Sequence, residues 1–100
     1  MNTGLTQRDT STIHAILQRY PEITRVVLFG SRAKGTAKPG SDIDLAIMND
    51  GVTEEIILRL KQEFEESSLP YTVDVINYPA LDGNALKEHI DRVGILLYTR

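Results

Sequence analysis

The run Arg25-Val26-Val27-Leu28-Phe29, closed by Gly30, constrains this chain more than any other stretch. Four consecutive apolar side chains, two of them β-branched and bounded by a turn residue, predict a short buried strand rather than a helix. A buried strand needs neighbours beside it and cover over it, so its flanks must supply both.

They do so in alternation. Thr6 is placed to cap a helix, with Asp9 three residues later in a box-like position. Ile13, Ile16, Leu17 and Tyr20 then recur at helical spacing until Pro21. Residues 1–5 read as a loose end. Residues 31–41 read as a short turn or helical stub followed by a loop, and Asp42 to Met48 as a second strand ending at the Asn49-Asp50-Gly51 turn. Thr53 is a cap for the next helix, with Glu54 and Glu55 favourable at its positive end. The buried stripe of that helix is Ile56, Ile57, Leu60 and Phe64. Leu69-Pro70 breaks it, and Tyr71 to Ile76 reads as a third strand. Residues 77–84 form a loop. A last helix carries Leu86, Ile90 and Val93 up to Gly94, and Ile95 to Tyr98 makes a short final strand. One sheet with helices packed on it follows, and 100 residues fit a single domain spanning 1–100.

Composition removes several function classes. There is no cysteine, which excludes disulfides, thiolate metal sites and thiol nucleophiles. A net charge of -3 argues against non-specific nucleic-acid binding, which needs a basic surface, so no direct nucleic-acid partner is expected. No apolar run is long enough to span a bilayer, and the start Met1-Asn2-Thr3-Gly4 lacks the basic-then-apolar pattern of a signal peptide. The expected location is cytoplasmic, with no membrane partner.

Three features carry chemistry. Gly30-Ser31 follows a buried strand directly, where glycine lets a phosphate approach the backbone and the hydroxyl and nearby amides can donate to it. Taken alone it is an ordinary strand-ending turn. In Asp42-Ile43-Asp44 the two carboxylates project to one side of a strand while Ile43 turns into the core. Such like charges repel unless a cation lies between them, and magnesium takes oxygen ligands alongside substrate phosphates. An isolated Asp-x-Asp is otherwise a solvated pair. Asp74 stands on the opposite face to Val73 and Val75. It either faces water on an open sheet or completes a cluster with Asp42 and Asp44 if the strands are neighbours.

Other residues read more plainly. The Gly30-x-x-x-x-Gly35 spacing is not a P-loop, because Thr36 and Ala37 stand where Lys and Ser/Thr are needed. Lys34 and Lys38 read as solvated bases, and Arg32 is the better candidate for a phosphate contact because it adjoins Ser31. His14 and His89 lack ligand-like partners in sequence and read as structural or exposed. Tyr71, Tyr78 and Tyr98 read as packing residues.

Together, a strand, Gly30-Ser31, a ten-residue spacer from Arg32 to Ser41, Asp42-Ile43-Asp44 and the later strand residue Asp74 resemble the DNA polymerase β-like nucleotidyltransferase superfamily. The run from Gly30 to Ala46 is most similar to its minimal nucleotidyltransferase (MNT) group, with Lys34 where an arginine is frequent. The resemblance implies an α+β nucleotidyltransferase fold, with helices packed on a small mixed sheet. It implies that Gly30, Ser31 and Arg32 bind nucleotide, with Gly30 and Ser31 on the β- and γ-phosphates of ATP. It implies that Asp42, Asp44 and Asp74 bind two Mg2+ ions, and that Asp74 helps deprotonate the attacking hydroxyl.

The resemblance also implies a partner. A chain ending about two dozen residues after Asp74 is expected to hold the catalytic core and little else, so the acceptor site would come from a partner, a homo-oligomer or the acceptor itself. MNT proteins commonly pair with a helical HEPN protein as a toxin–antitoxin system, which implies AMP transfer to a hydroxyl of the toxin. Two other functions fit the same residues. One is a non-catalytic nucleotide-binding module that neutralises a partner by contact. The other is a small-molecule nucleotidyltransferase of the aminoglycoside-modifying type, against which the short chain argues.

Overall fold

The computed structural model describes residues 3–100. Four strands, β1 (Arg25–Phe29), β2 (Ile43–Ile47), β3 (Val73–Asn77) and β4 (Ile95–Thr99), form one sheet in the order β3-β2-β1-β4. The helices are α1 (Gln7–Leu17), α2 (Gly30–Lys34), α3 (Glu54–Glu65) and α4 (Asn84–Val93), and a 3-10 turn spans Tyr78–Ala80. The sheet is mixed: β1 runs antiparallel to β2 and to β4, while β2 and β3 are parallel. Parallel neighbours cannot be joined by a tight turn, and α3 fills the connection between them.

Both long-range helix starts are built as their sequences predict. The Thr6 hydroxyl accepts from the Asp9 amide, and the Asp9 carboxylate accepts from the Thr6 amide, each at 3.0 Å. Thr53 accepts from the amide of Ile56 at 3.3 Å. Caps of this kind contribute about 1 kcal/mol each.

Strand alternation divides the core in two. Val26, Leu28, Ile43, Leu45, Ile47 and Val75 face one side, where they meet Ile13 and Leu17 of α1 and Ile57, Leu60 and Phe64 of α3. Val27, Phe29 and Ala46 face the other side and pack with Ile90 of α4. Ile43 is fully buried, as the inward-facing residue of Asp-Ile-Asp must be. Asp44 and Asp74 therefore fall on the α4 side of the sheet.

Some boundaries differ from the sequence reading. Asp42 precedes β2 and is exposed, and β3 is shifted one or two residues toward the C-terminus, from Tyr71–Ile76 to Val73–Asn77. Leu86 is exposed rather than part of a buried stripe, because only Ile90 of α4 enters the core fully. Of the expected loose end, residues 1 and 2 lie outside the described residues. Thr3 to Leu5 is tied down: Leu5 packs against the larger core, and the Thr3 carbonyl accepts from Arg32 Nη1 at 3.0 Å. Among the described residues, no helix is long and apolar enough to cross a membrane.

Candidate active site

The turn leaving β1 sets the site. Gly30 has φ +76°, and a Cβ added there would lie 2.3 Å from Asp44 Oδ2. Both facts disfavour any other residue: the backbone is left-handed, and the space a side chain needs is filled by a carboxylate. Ser31 follows in the first turn of α2 and is half-buried. The helix lasts five residues and stops at Gly35, whose φ of +77° allows the Thr36 amide to turn back to the Ser31 carbonyl at 2.9 Å.

Strand register brings the carboxylates together. Asp44 is the cross-strand partner of Phe29 in β1 and of Asp74 in β3. Neighbouring strands are about 4.8 Å apart, and paired residues share a face, so these two acids stand side by side. Asp42, two residues earlier, acts on Asp44 through its charge. The Asp44 carboxyl is pushed above its usual range first by burial, then by the negative charges of Asp74 and Asp42. His89 and Arg32 oppose that shift.

Arg32 occupies a place other than the expected phosphate contact. It is 2% exposed. Its Nε and Nη2 donate to the Ser41 carbonyl at 3.2 and 2.7 Å, its Nη1 donates to Thr3, and its guanidinium lies 4.4 Å from the centre of the Tyr71 ring. Its planar fork thus clamps the residue immediately before Asp42. Lys34 and Lys38 are exposed, as solvated bases should be. His14 is structural, with Nε2 2.7 Å from the Leu97 carbonyl and its ring edge-on to Tyr98. Tyr78 donates to Asp91 at 2.7 Å and lies under the Lys87 ammonium.

His89, which reads from the sequence as structural or exposed, is half-buried. It sits on α4, edge-on to Phe29 with ring centres 6.1 Å apart, and so borders the strand end from which Gly30 leaves. Only the packing of α4 through Ile90 reveals this, and no local pattern signals it.

Among the described residues, no group of three or more His, Cys, Asp or Glu side chains could hold a metal ion by itself. The donor chemistry nonetheless fits magnesium, which typically takes one or two carboxylates and completes its shell with substrate phosphates and water. Oxygen-only donors, and an Asp44 carboxyl raised by burial and then by the charges of Asp74 and Asp42, suit such an ion.

Comparison with known proteins agrees with this geometry. The family model described as polymerase beta, nucleotidyltransferase matches residues 11–100. A Haemophilus influenzae protein named probable protein adenylyltransferase MntA is 36% identical over 90 residues, which are 89% of this chain and 78% of that protein. A chain in the crystal structure of a toxin–antitoxin with AMP-PNP superposes with a TM-score of 0.76 at 23% identity, covering 92% of this chain and 74% of that one. A chain in the structure of a tri-AMPylated Shewanella oneidensis HEPN toxin in complex with MNT antitoxin superposes with a TM-score of 0.72 at 20% identity, covering 96% and 74%. At these identities the two structures speak to the fold.

Proposed function

This chain belongs to the polymerase β nucleotidyltransferase family, and we propose on that basis that it is a protein adenylyltransferase, moving AMP from ATP to a hydroxyl of a partner protein. The partner is a helical HEPN toxin, for which this chain is the antitoxin. The observation that carries this reading is the pairing of Asp44 with Asp74 across two parallel strands, directly beside the turn at Gly30. The 36% identity to a probable protein adenylyltransferase supports the choice of protein as acceptor.

The chain's own residues divide the work. Gly30 lets the backbone turn against Asp44, and the Ser31 hydroxyl and the amides of this turn donate to the phosphate chain. Asp42, Asp44 and Asp74 hold the cations that accompany the nucleotide. Mg2+ held there would supply charge stabilisation to the attacking and leaving oxygens as the acceptor hydroxyl displaces pyrophosphate in line at the α-phosphate. Asp74, on the edge strand and exposed, is the carboxylate placed to receive the acceptor hydroxyl and draw off its proton. Arg32 is a positioning residue: it fixes Ser41 and thereby the approach of Asp42 to the site.

The test is to incubate the chain with its HEPN partner, ATP and magnesium and to weigh the partner by mass spectrometry. A gain of one or more adenylyl groups is expected. An unmodified toxin in a well-folded complex would overturn the reading. With Asp42→Asn and Asp44→Asn, loss of both labelling and protection marks an enzyme, whereas protection without labelling marks a binder.

A further inference from the structure

His89 is the one imidazole beside the carboxylates, and nothing in the proposed mechanism uses it. Its position is set by three relationships. Its ring meets Phe29 edge-on, with centroids 6.1 Å apart and planes 82° from parallel. Phe29 is the cross-strand partner of Asp44 and the residue before Gly30. The next residue in the helix, Ile90, is buried with Phe29 and Ala46, which pins this turn of α4 against the sheet. His89 and Asp44 thus flank the same strand end, one from the helix and one from the sheet.

The ring is half-buried, and among the described residues its nitrogens have no hydrogen-bond partner. The other histidine offers a contrast, since His14 spends a ring nitrogen on a carbonyl of the fold. A neutral imidazole always carries one N–H donor, whichever tautomer is present. Phenylalanine would pack there as well, so what the imidazole adds is an N–H free to donate at the edge of the turn proposed to hold phosphate.

We infer that His89 contacts the substrate: its ring N–H donates to the pyrophosphate portion of the nucleotide seated over Gly30-Ser31. The inference rests on the adenylyltransferase reading above and adds a donor from α4 to it. Such a donor would tie α4 to nucleotide binding and would help hold the leaving group in line.

The experiment compares wild type, His89→Phe and His89→Gln for magnesium-dependent binding of ATP, of inorganic pyrophosphate and of AMP, with melting temperature measured without ligand. Phenylalanine keeps the edge contact with Phe29 and removes the donor, whereas glutamine restores a donor. A hydrogen bond to a charged group is worth about 1.5–3 kcal/mol, or roughly 10- to 100-fold. His89→Phe is therefore expected to weaken ATP and pyrophosphate by about that factor, to leave AMP unchanged and to melt at the wild-type temperature. His89→Gln should recover most of the loss. Unchanged ATP affinity in His89→Phe would overturn the inference. So would an equal loss for ATP and AMP accompanied by a fall in melting temperature, which is the signature of a packing role. Wild-type protein that binds no ATP would overturn the adenylyltransferase reading first, and this inference with it.

Discussion

Gly30 lies so close to Asp44 that a single added carbon would stand 2.3 Å from the carboxylate oxygen. The turn proposed to receive phosphate and the acid proposed to accompany the metal thus lie against each other, so a change at one disturbs the other. Gly30→Ala must displace Asp44 or distort the positive-φ turn. We expect a destabilisation of about 1–3 kcal/mol and a loss of transfer of at least roughly 100-fold, because strain at such a position has no nearby relief. Urea denaturation and labelling of the partner measure the two effects separately.

Asp44 is held in the fold at a cost. Burial first, and then the charges of Asp74 and Asp42, oppose its ionisation. A carboxyl whose pKa is raised in the folded state adds stability below its unfolded pKa and loses it as pH rises through the folded value. At neutral pH that contribution is gone, and the charge is a liability. Asp44→Asn is therefore expected to melt higher than wild type in chelator at neutral pH while losing transfer. Thermal melts with EDTA, paired with the labelling assay, check it.

Arg32 predicts a different signature. Its guanidinium bonds to the carbonyls of Ser41 and Thr3, and lies over Tyr71, while almost wholly buried. Lysine has neither the fork nor the planar face. Arg32→Lys should destabilise by about 2–4 kcal/mol, since hydrogen bonds to charged groups contribute about 1.5–3 kcal/mol each. It should also raise amide exchange around Ser41, which hydrogen–deuterium exchange would report.

A fourth expectation concerns pH and lies away from the site. Glu63 accepts from Tyr20 and Arg19, and the Tyr20 bond is the main cause of its lowered pKa. A lowered carboxylate contributes stability above its unfolded value of 4.5 and loses it as pH falls through the folded value. Tyr20, raised to about 12 by burial and then by Glu63, contributes below pH 10 and loses its share as pH climbs through about 12. Tyr20→Phe should flatten both limbs of the stability profile. Denaturant midpoints taken across the acid range below pH 4.5 would show the first of these.

Local signals were legible in the sequence, and non-local ones were not. Thr6 with Asp9, and Thr53, announce helix starts because a cap involves residues three apart. The strand Arg25–Phe29 is found with its bounds intact because both ends are marked by a change in residue type. The pairing of Asp44 with Asp74 is different. Alternation places each on a face, but only the choice of parallel β2–β3 over the antiparallel alternative makes them partners, and that depends on how α3 packs. Arg32 misled because adjacency to Ser31 in sequence says nothing of a side chain that turns inward to Thr3 and Ser41. The place of His89 beside Phe29 was not legible, because it depends on the docking of a whole helix.

If Asp44 and Asp74, beside Gly30, direct attack to the α-phosphate of ATP, the partner protein acquires that phosphate and no other. Labelling the partner protein with ATP carrying radioactive phosphorus at either the α or the γ position tests it in one gel. Label is expected on the partner from the α position only, and none with Asp44→Asn or Asp74→Asn. Label from the γ position, or undiminished α label in either variant, would contradict it.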